Sequence, residues 1–326
     1  MSSFGSSADG EAPAWRPRLE LLLTALLFST GGAAIKATEL TFWQVASFRS
    51  GVAALTVFVL LPQARRRWRP RTLAVAAAYA VTLLLYVQAN KLTTAASAIF
   101  LQSTAPLYIL LLAPWLLGER VHRLDAIYMA VLAGGMALFF VGVEPPVKTA
   151  PDPLTGNVLA AISGLTWALT VIGLRFLGRG TSPGTSGSQV KASEGAAAVV
   201  VGNFLTFVIA LPMALPLQQT ATPVTAGDWA VIAWLGMFQI GVAYVFMTRA
   251  LRDIGALEAS LLLLVEPVVN PVWAWVVHGE TPGLWSLSGG AVILAATAAK
   301  TWIDGQRGRR RLGRTGKPRI PGTDPG

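Results

Sequence analysis

The sequence predicts an all-α membrane protein that crosses the bilayer many times. Of its 326 residues, 53% are hydrophobic and only 13% are charged, roughly half the charged share of an ordinary soluble domain. Long apolar runs alternate with short breaks that are rich in Pro, Gly and charge. A soluble fold would leave much of this apolar surface in water, whereas lipid covers it in a polytopic membrane protein.

Ten segments are long and apolar enough to cross the bilayer, since about 20 apolar residues span its core as a helix. The chain contains no cysteine and only two histidines, which argues against disulfides and a His-rich metal site, and we expect no metal or cofactor. The predicted spans are 19–36, 41–61, 72–90, 94–117, 124–143, 156–177, 195–216, 228–248, 256–277 and 283–303.

The positions of Lys and Arg predict how these spans are oriented. With the N-terminus in the cytosol, 22 of the 26 basic residues fall on the cytosolic side, as the positive-inside rule requires. Ten spans then place both termini in the cytosol. The net charge of +10 is concentrated in the C-terminal tail. We interpret it as a topology signal that can touch anionic lipid, and we expect no nucleic-acid partner.

Two stretches of the sequence repeat each other without a gap. Residues 105–119, "APLYILLLAPWLLGE", and 266–280, "EPVVNPVWAWVVHGE", share a proline in the second position and a final Gly-Glu. Spans one to five and six to ten therefore read as one duplicated unit. Because five is odd, the second copy enters the membrane from the opposite side. Such inverted repeats, with a binding site near the midplane, are typical of transporters.

The domain organisation follows from this repeat. The polar start of the chain lacks the basic and apolar regions of a signal peptide, so the first helix is expected to stay in the mature protein. The predicted units are a disordered cytosolic tail over 1–18, a five-helix repeat over 19–143, an extracytoplasmic connection over 144–155, a second five-helix repeat over 156–303 that contains a flexible cytosolic loop at 178–194, and a basic disordered tail over 304–326.

Several motifs together resemble the drug/metabolite transporter superfamily, and its EamA-type members in particular. They are "FSTGGAAIK", "FWQVASFRSG" and the paired Gly-Glu endings, and the resemblance runs from about Leu19 to Trp302. It implies a ten-helix transporter with a central cavity, which moves small metabolites such as amino acids or their derivatives, often outward. The chain departs from the pattern at Ala105, where the second copy has Glu266, and at Tyr128, where Gly289 keeps the usual glycine.

Glu266 is the first candidate for a functional side chain. It falls near the middle of the ninth span, where a charge costs at least about 3 kcal/mol. Pro267 and Pro271 remove backbone donors beside it, so the helix should bend or open there, as it should at Pro106 in span four. Glu266 either binds a cationic or amine group or carries a proton in a cavity, or it is a protonated acid that ties helices together by hydrogen bonds.

Arg49 is the second charge inside a span, eight residues from its start, or about 12 Å along the helix. It binds a substrate carboxylate, pairs with Glu266, forms a structural salt bridge or snorkels to the interface. Lys36 is interpreted as an interfacial anchor. Glu119 and Glu280 are interpreted as structural acids at helix ends, with gating as the alternative that symmetry suggests.

Uncharged polar and aromatic residues within the spans are further candidates for lining a cavity. Each polar residue can equally bridge two helices. Each tryptophan can stack on a solute or simply pack. These candidates are Asn270, Gln102, Ser103, Gln239, Tyr244, Asn203, Trp273 and Trp167.

The sequence thus favours a secondary transporter that works by alternating access around a midplane cavity. No ATP-binding G-x-x-x-x-G-K-[ST] motif occurs, so an ion gradient, exchange or the gradient of the solute must drive it. We expect no enzyme activity, and efflux of an amino acid, a related amine or a drug-like solute. The short loops fit a multi-pass protein of a bacterial inner membrane, as monomer or homodimer. The alternatives are a membrane-embedded lipid-modifying enzyme and a non-transporting scaffold.

Overall fold

The computed structural model describes residues 15–65, 69–118, 121–177, 185–215, 223–251 and 253–315. This part of the chain is helical, and its only β-structure is an isolated bridge between Val147 and Ala150. The all-helical class is therefore confirmed for the described residues. The helices are α1 (Trp15–Ser29), α2 (Gly31–Lys36), α3 (Phe42–Leu60), α4 (Pro70–Leu92), α5 (Ala95–Gln102), α6 (Ala105–Leu117), α7 (Arg123–Val141), α8 (Pro153–Leu177), α9 (Thr185–Ala214), α10 (Ala226–Ala233), α11 (Ala243–Ala250), α12 (Ala256–Leu263), α13 (Val265–His278) and α14 (Leu284–Thr315).

Two shorter elements complete this set. A 3-10 turn over Pro62–Arg65 follows α3, and a π-helix over Trp234–Val242 joins α10 to α11. The π-helix is nine residues long. Because π segments are rare and cluster at functional sites, this one makes the eighth span a candidate part of a functional site.

Nine helices or helix pairs in the described part of the chain are long and apolar enough to cross a bilayer. Each coincides with one of the first nine predicted spans. The tenth predicted span, 283–303, coincides with α14, but glycine, serine and Lys300 dilute its apolar residues, so it stays a prediction. The nine candidates are Trp15–Lys36, Phe42–Leu60, Pro70–Leu92, Ala95–Leu116, Arg123–Val141, Pro153–Leu177, Ser193–Ala214, Ala226–Ala250 and Leu257–His278.

Three helices extend into segments that were predicted to be disordered or flexible. Helix α1 begins at Trp15, within the tail predicted over 1–18, because an apolar run follows directly from Leu19. Helix α9 begins at Thr185, within the loop predicted over 178–194, because the breaker Pro183-Gly184 is followed by residues that tolerate a helix. Helix α14 continues to Thr315, into the tail predicted over 304–326, because Gln, Arg and Leu follow Trp302. Residues 1–14 and 316–326 of the two predicted disordered tails, and residues 178–184 of the predicted flexible loop, lie outside the described residues.

The two halves of the chain pack against each other in matched pairs. Helix α3 packs on α9, α7 on α14, and α5 on α13, so that equivalent spans of the two predicted repeats meet. Spans one and three of the first half contact spans eight and six of the second, through α1 with α11 and α4 with α8. These contacts between the halves are therefore symmetric, since exchanging the two repeats turns each of them into itself or into another of the set.

Candidate functional site

Three of the membrane spans are interrupted near their middles. The first breaks at Thr30, between α1 and α2, the fourth at Ser103 and Thr104, and the ninth at Leu264. Pro106 and Pro267 lie two and three residues after the last two breaks, and their missing N–H groups free carbonyls in the preceding turn. Pro271, by contrast, lies inside α13, which continues unbroken to His278.

Hydroxyl side chains satisfy the carbonyls at two of these breaks. Thr30 Oγ1 donates to the Leu27 carbonyl at 2.8 Å, and Thr104 Oγ1 donates to the Leu101 carbonyl at 2.6 Å. Ser103 Oγ donates to the Ile99 carbonyl at 2.7 Å. Because lipid offers no hydrogen-bond partners, such local partners are what permit broken helices in a membrane. Ser103, a predicted cavity residue, thus also stabilises the break.

The fourth and ninth spans end alike. Gly118 after α6 and Gly279 after α13 adopt left-handed φ angles of 66° and 65°, which a glycine accepts without strain. The same offset of 161 residues separates Gly118 from Gly279 and Pro106 from Pro267. Glu119, the acid after the first of these glycines, lies outside the described residues.

A cavity of about 420 Å³ lies where the breaks of spans four and nine face the other spans. Of the residues singled out from the sequence, those that line it are Glu266, Arg49, Gln102, Ser103, Gln239, Tyr244, Trp167, Pro106 and Pro267. The cavity also contains residues that the sequence reasoning did not select, namely Phe28, Tyr79, Thr82, Leu83, Tyr86, Ile99, Ala105, Ile240, Ser260, Leu263 and Leu264.

Aromatic rings form much of the cavity wall. Tyr79 lies between two of them, with ring centres 6.1 Å from Trp167 and 6.5 Å from Tyr244, and Phe28 meets Tyr244 edge-on at 5.6 Å. Tyr79 and Tyr86 share one face of α4 with Thr82 and Leu83, since residues three and four apart are neighbours on a helix. The helical spacing of Tyr79 and Tyr86 within a span is the feature of the sequence that could have identified this part of the cavity wall.

Glu266 lies in the first turn of α13, directly after the break. Its carboxylate makes no hydrogen bond or ion pair with any residue in the described ranges, although it lines the cavity. The first turn of a helix favours a negative charge, because unpaired N–H groups gather there. The arrangement leaves the carboxylate available to a solute or a proton.

Arg49 is 1% exposed and belongs to the same cavity. Its Nε atom has no hydrogen-bond partner, and within the described residues no carboxylate, Glu266 included, lies at ion-pair distance from it. The phenols of Tyr79 and Tyr86 lie within electrostatic range of the guanidinium. A buried cation without a counter-ion is costly, so an anionic group of a solute would find a strong partner here.

Two amides on the cavity wall are held by neighbouring spans. Gln102 Nε2 donates to Ser163 Oγ at 3.2 Å, and Gln239 Nε2 donates to the Phe28 carbonyl at 3.5 Å. Gln239 Oε1 has no partner among the described residues. The π-helix carries Gln239 toward the break between α1 and α2, where the side chain lies against Gly31.

Three predicted cavity residues lie elsewhere in the bundle. Asn203 is buried and donates to the Val199 carbonyl at 2.9 Å. Trp273 donates from Nε1 to Ser29 Oγ at 3.0 Å. Asn270 is buried against Gly32 between α2, α5 and α13. The sequence shows that they are polar or aromatic residues within a span, which does not determine the direction in which each side chain faces.

A buried ionic contact closes one side of this region. Lys36 Nζ lies 3.1 Å from Glu280 Oε2, and both side chains are 3% exposed. Lys36 also donates to the carbonyls of Thr93, at 2.7 Å, and Thr149, while Glu280 accepts the backbone N–H of Ala95. We call these five residues the outer seam, because the sequence predicts this side to be extracytoplasmic. Lys36, expected as an interfacial anchor, is instead enclosed between helix ends.

The outer seam joins spans one, four and nine. Beside it, a ring nitrogen of His278 lies 2.8 Å from the Ala33 carbonyl. At the opposite end of the cavity, Ser260 on α12 lines the cavity and is exposed. Lys36 and Glu280 are thus buried on one side, whereas toward α12 the cavity borders the exposed Ser260.

Comparison with known proteins gives consistent matches. The sequence model of the EamA-like transporter family matches residues 19–141 and 154–300. The pseudopaline exporter CntI of Pseudomonas aeruginosa is 25% identical over 286 residues, which cover 85% of this chain and 93% of that protein. An uncharacterized transporter of Archaeoglobus fulgidus is 26% identical over 215 residues, 66% of this chain and 70% of its own.

A solved structure described only as the crystal structure of a protein superposes with a TM-score of 0.55. It covers 91% of this chain and 98% of its own at 18% sequence identity. At this identity the likeness concerns the fold alone.

Proposed function

The chain belongs to the EamA-like transporter family, and on that premise we propose that it is a secondary transporter which moves a small metabolite by alternating access. The observation that carries the proposal is the cavity at the breaks of spans four and nine, which contains an unpaired carboxylate, Glu266. Broken helices near the midplane are where secondary transporters bind solutes and coupling ions. A relative is named as an exporter, which supports outward transport.

The two halves are proposed to be inverted repeats with ten spans and both termini in the cytosol. The offset of 161 residues supports this, since it relates the two C-terminal glycines and also the first residues of α7 and α14, Arg123 and Leu284. The matched pairing of spans between the halves supports it as well. A carrier built this way alternates by rocking one set of helices against the other around a fixed site.

Glu266 and Arg49 are proposed to recognise the solute. The carboxylate of Glu266 would bind an amine or carry a proton, and the guanidinium of Arg49 would bind a carboxylate, because each lines the cavity without a counter-ion among the residues described. The aromatic wall would hold the apolar part of the solute. An amino acid or a related amine has this combination of groups.

The outer seam is proposed to be the closed gate of the present conformation. It seals the side of Lys36 and Glu280, while the cavity borders exposed residues on the side of α12. Transport would require this contact to open and the α12 side to close. The cavity would then face the two sides of the membrane in turn.

The test is a flux measurement with purified protein in liposomes, over a panel of amino acids, amines and nucleosides. We expect wild-type flux of at least one solute, and loss of flux or of its pH dependence in Glu266→Gln, which should still insert. Glu258→Gln is the matched control, because it makes the same change on the same span outside the cavity lining. Unchanged pH-dependent flux in Glu266→Gln would remove Glu266 from the mechanism, and no flux for any solute would count against a transporter.

A further inference from the structure

A second cavity lies on the side of the bundle, between α3, α9 and α10, and has a volume of about 840 Å³. Polar atoms contribute almost nothing to its surface. We call it the lateral groove, and the residues that line it are Phe48, Gly51, Val52, Ala54, Leu55, Phe58, Val200, Phe204, Phe207, Trp229, Ile232 and Ala233. No residue of the central cavity is among them.

The lateral groove has a defined floor and a closed end. A Cβ atom on Gly51 would lie 2.9 Å from the ring of Phe207, so glycine is what lets α3 and α9 meet there. The rings of Phe48 and Trp229 contact at 5.1 Å between centres and close one end. Leu55 is 65% exposed along the groove. In the membrane, this shape leaves room for an apolar chain rather than for water.

The other end of the lateral groove is marked by a positive charge. The guanidinium of Arg65 lies 5.2 Å from the ring centre of Phe58, which lines the groove. Arg65 Nε and one terminal nitrogen donate to the carbonyls of Phe58 and Val59, at 2.8 and 2.9 Å. The side chain is exposed, and it forms no ion pair with any described residue. The backbone thus fixes an unpaired cation at the mouth of the groove.

We propose that the lateral groove binds one acyl chain of an anionic phospholipid whose phosphate contacts Arg65. Phe48 and Phe58 are ten residues apart, so the groove runs about 15 Å along the helix. One leaflet contributes half of a hydrocarbon core that is about 30 Å thick, so this length matches the depth of one leaflet. The planar guanidinium suits a phosphate. The positive-inside rule places Arg65 at the cytosolic leaflet, where anionic lipids attract basic residues. This site does not depend on the proposed transport function.

The test is native mass spectrometry of the full-length protein with phosphatidylglycerol and phosphatidylcholine of identical acyl chains. We expect about fivefold stronger retention of the anionic lipid, as one basic residue near the membrane surface contributes. Arg65→Gln should reduce this preference to about one, whereas Arg175→Gln, an exposed arginine on the same predicted side, should leave it unchanged. Leu55→Trp should fill the groove and weaken retention of both lipids.

Val276→Trp is the control for the tryptophan, because Val276 is 64% exposed on α13, away from the groove. Gel filtration of each variant establishes that it remains folded. Equal retention of the two lipids by the wild type would overturn the proposal, as would equal behaviour of Arg65→Gln and Arg175→Gln. A wild-type dimer that Leu55→Trp dissociates would also overturn it, since a second copy of the chain would then occupy the groove.

Discussion

Lys36 and Glu280 illustrate how a charged pair becomes part of a membrane protein's interior. Each group is removed from solvent, and each also meets backbone partners, the carbonyls of Thr93 and Thr149 for the cation and the N–H of Ala95 for the anion. Taking two charges out of water is repaid only when the remaining hydrogen-bonding groups are satisfied. Backbone groups partner Lys36 and one oxygen of Glu280, whereas Glu280 Oε2 has only the Lys36 charge beside it among the described residues. The pair thus ties three helix ends together.

Replacing one partner of this pair should lower the free energy of unfolding more than replacing both. Lys36→Met leaves Glu280 buried without its cation and should lower the free energy of unfolding by about 3–5 kcal/mol. Lys36→Met combined with Glu280→Gln should recover much of this loss, since the amide oxygen can still accept the Ala95 N–H. The measurement is a double-mutant cycle of denaturant unfolding in detergent micelles.

Arg18→Met is the control for this cycle, because Arg18 and Glu258 form a pair whose side chains are 53% and 42% exposed. Solvent screens such a pair, so its loss should have a far smaller effect. Additive effects of the Lys36 and Glu280 substitutions would show that the two residues do not act together.

At the scale of the helix, small residues decide how closely the outer halves of spans one, four and nine approach. A Cβ atom on Gly32 would lie 2.7 Å from Asn270 Oδ1 and 2.9 Å from Ala95 Cβ. Asn270 and Ala95 are both fully buried, so neither residue can move away from a larger side chain without a shift of its whole helix. Gly32 is therefore required for α2 to reach α5 and α13.

Gly32→Ala should destabilise the protein by about 1–3 kcal/mol, the usual cost of overpacking. Gly134→Ala is the matched control, since Gly134 lies within α7 and a Cβ atom there would meet nothing within 4 Å. That change should be neutral or stabilise by up to about 1 kcal/mol, because alanine favours the helix. Thermal unfolding followed by tryptophan fluorescence compares the two. A larger loss in Gly134→Ala would contradict this account of the packing.

Helix breaks were predictable from sequence to the extent that proline determines them. Pro106 and Pro267 indicated where spans four and nine would be interrupted, but Pro271 did not break α13. The break at Thr30 has no proline, and hydroxyl groups of the chain itself satisfy the carbonyls there. The π-helix has no comparable signal, because it depends on how span eight fits against spans one and two.

At the scale of the whole molecule, the positions and order of the spans could be predicted from the sequence. Lipid requires an apolar, fully hydrogen-bonded helix along each span, and this leaves a clear pattern in the composition. The direction in which a side chain faces could not be predicted from the sequence. Glu266, Gln239 and Trp167 line the cavity, while Asn270 and Trp273 lie outside its lining. A span that is apolar all round has no polar face to show how it is rotated. The neighbouring helices determine that rotation.

Topology can be tested directly because the chain contains no cysteine. Lys148→Cys lies in the exposed connection between α7 and α8, and Asp253→Cys lies in the exposed connection between α11 and α12. In intact cells, a membrane-impermeant maleimide should label Lys148→Cys and should label Asp253→Cys only after permeabilisation. The cysteine-free parent chain gives the background. Labelling of both positions from the same side would exclude the ten-span arrangement with cytosolic termini.

Asn270 has a consequence for the speed of the proposed transport cycle. It is fully buried beside the Tyr86 hydroxyl, and neither end of its amide makes a well-aligned hydrogen bond among the described residues. An unsatisfied buried polar group costs about 1–3 kcal/mol. If the closed side opens as proposed, hydration would relieve this penalty. A carrier turns over quickly only if neither of its two shapes is a deep energy well, and this asparagine would keep the closed shape shallow.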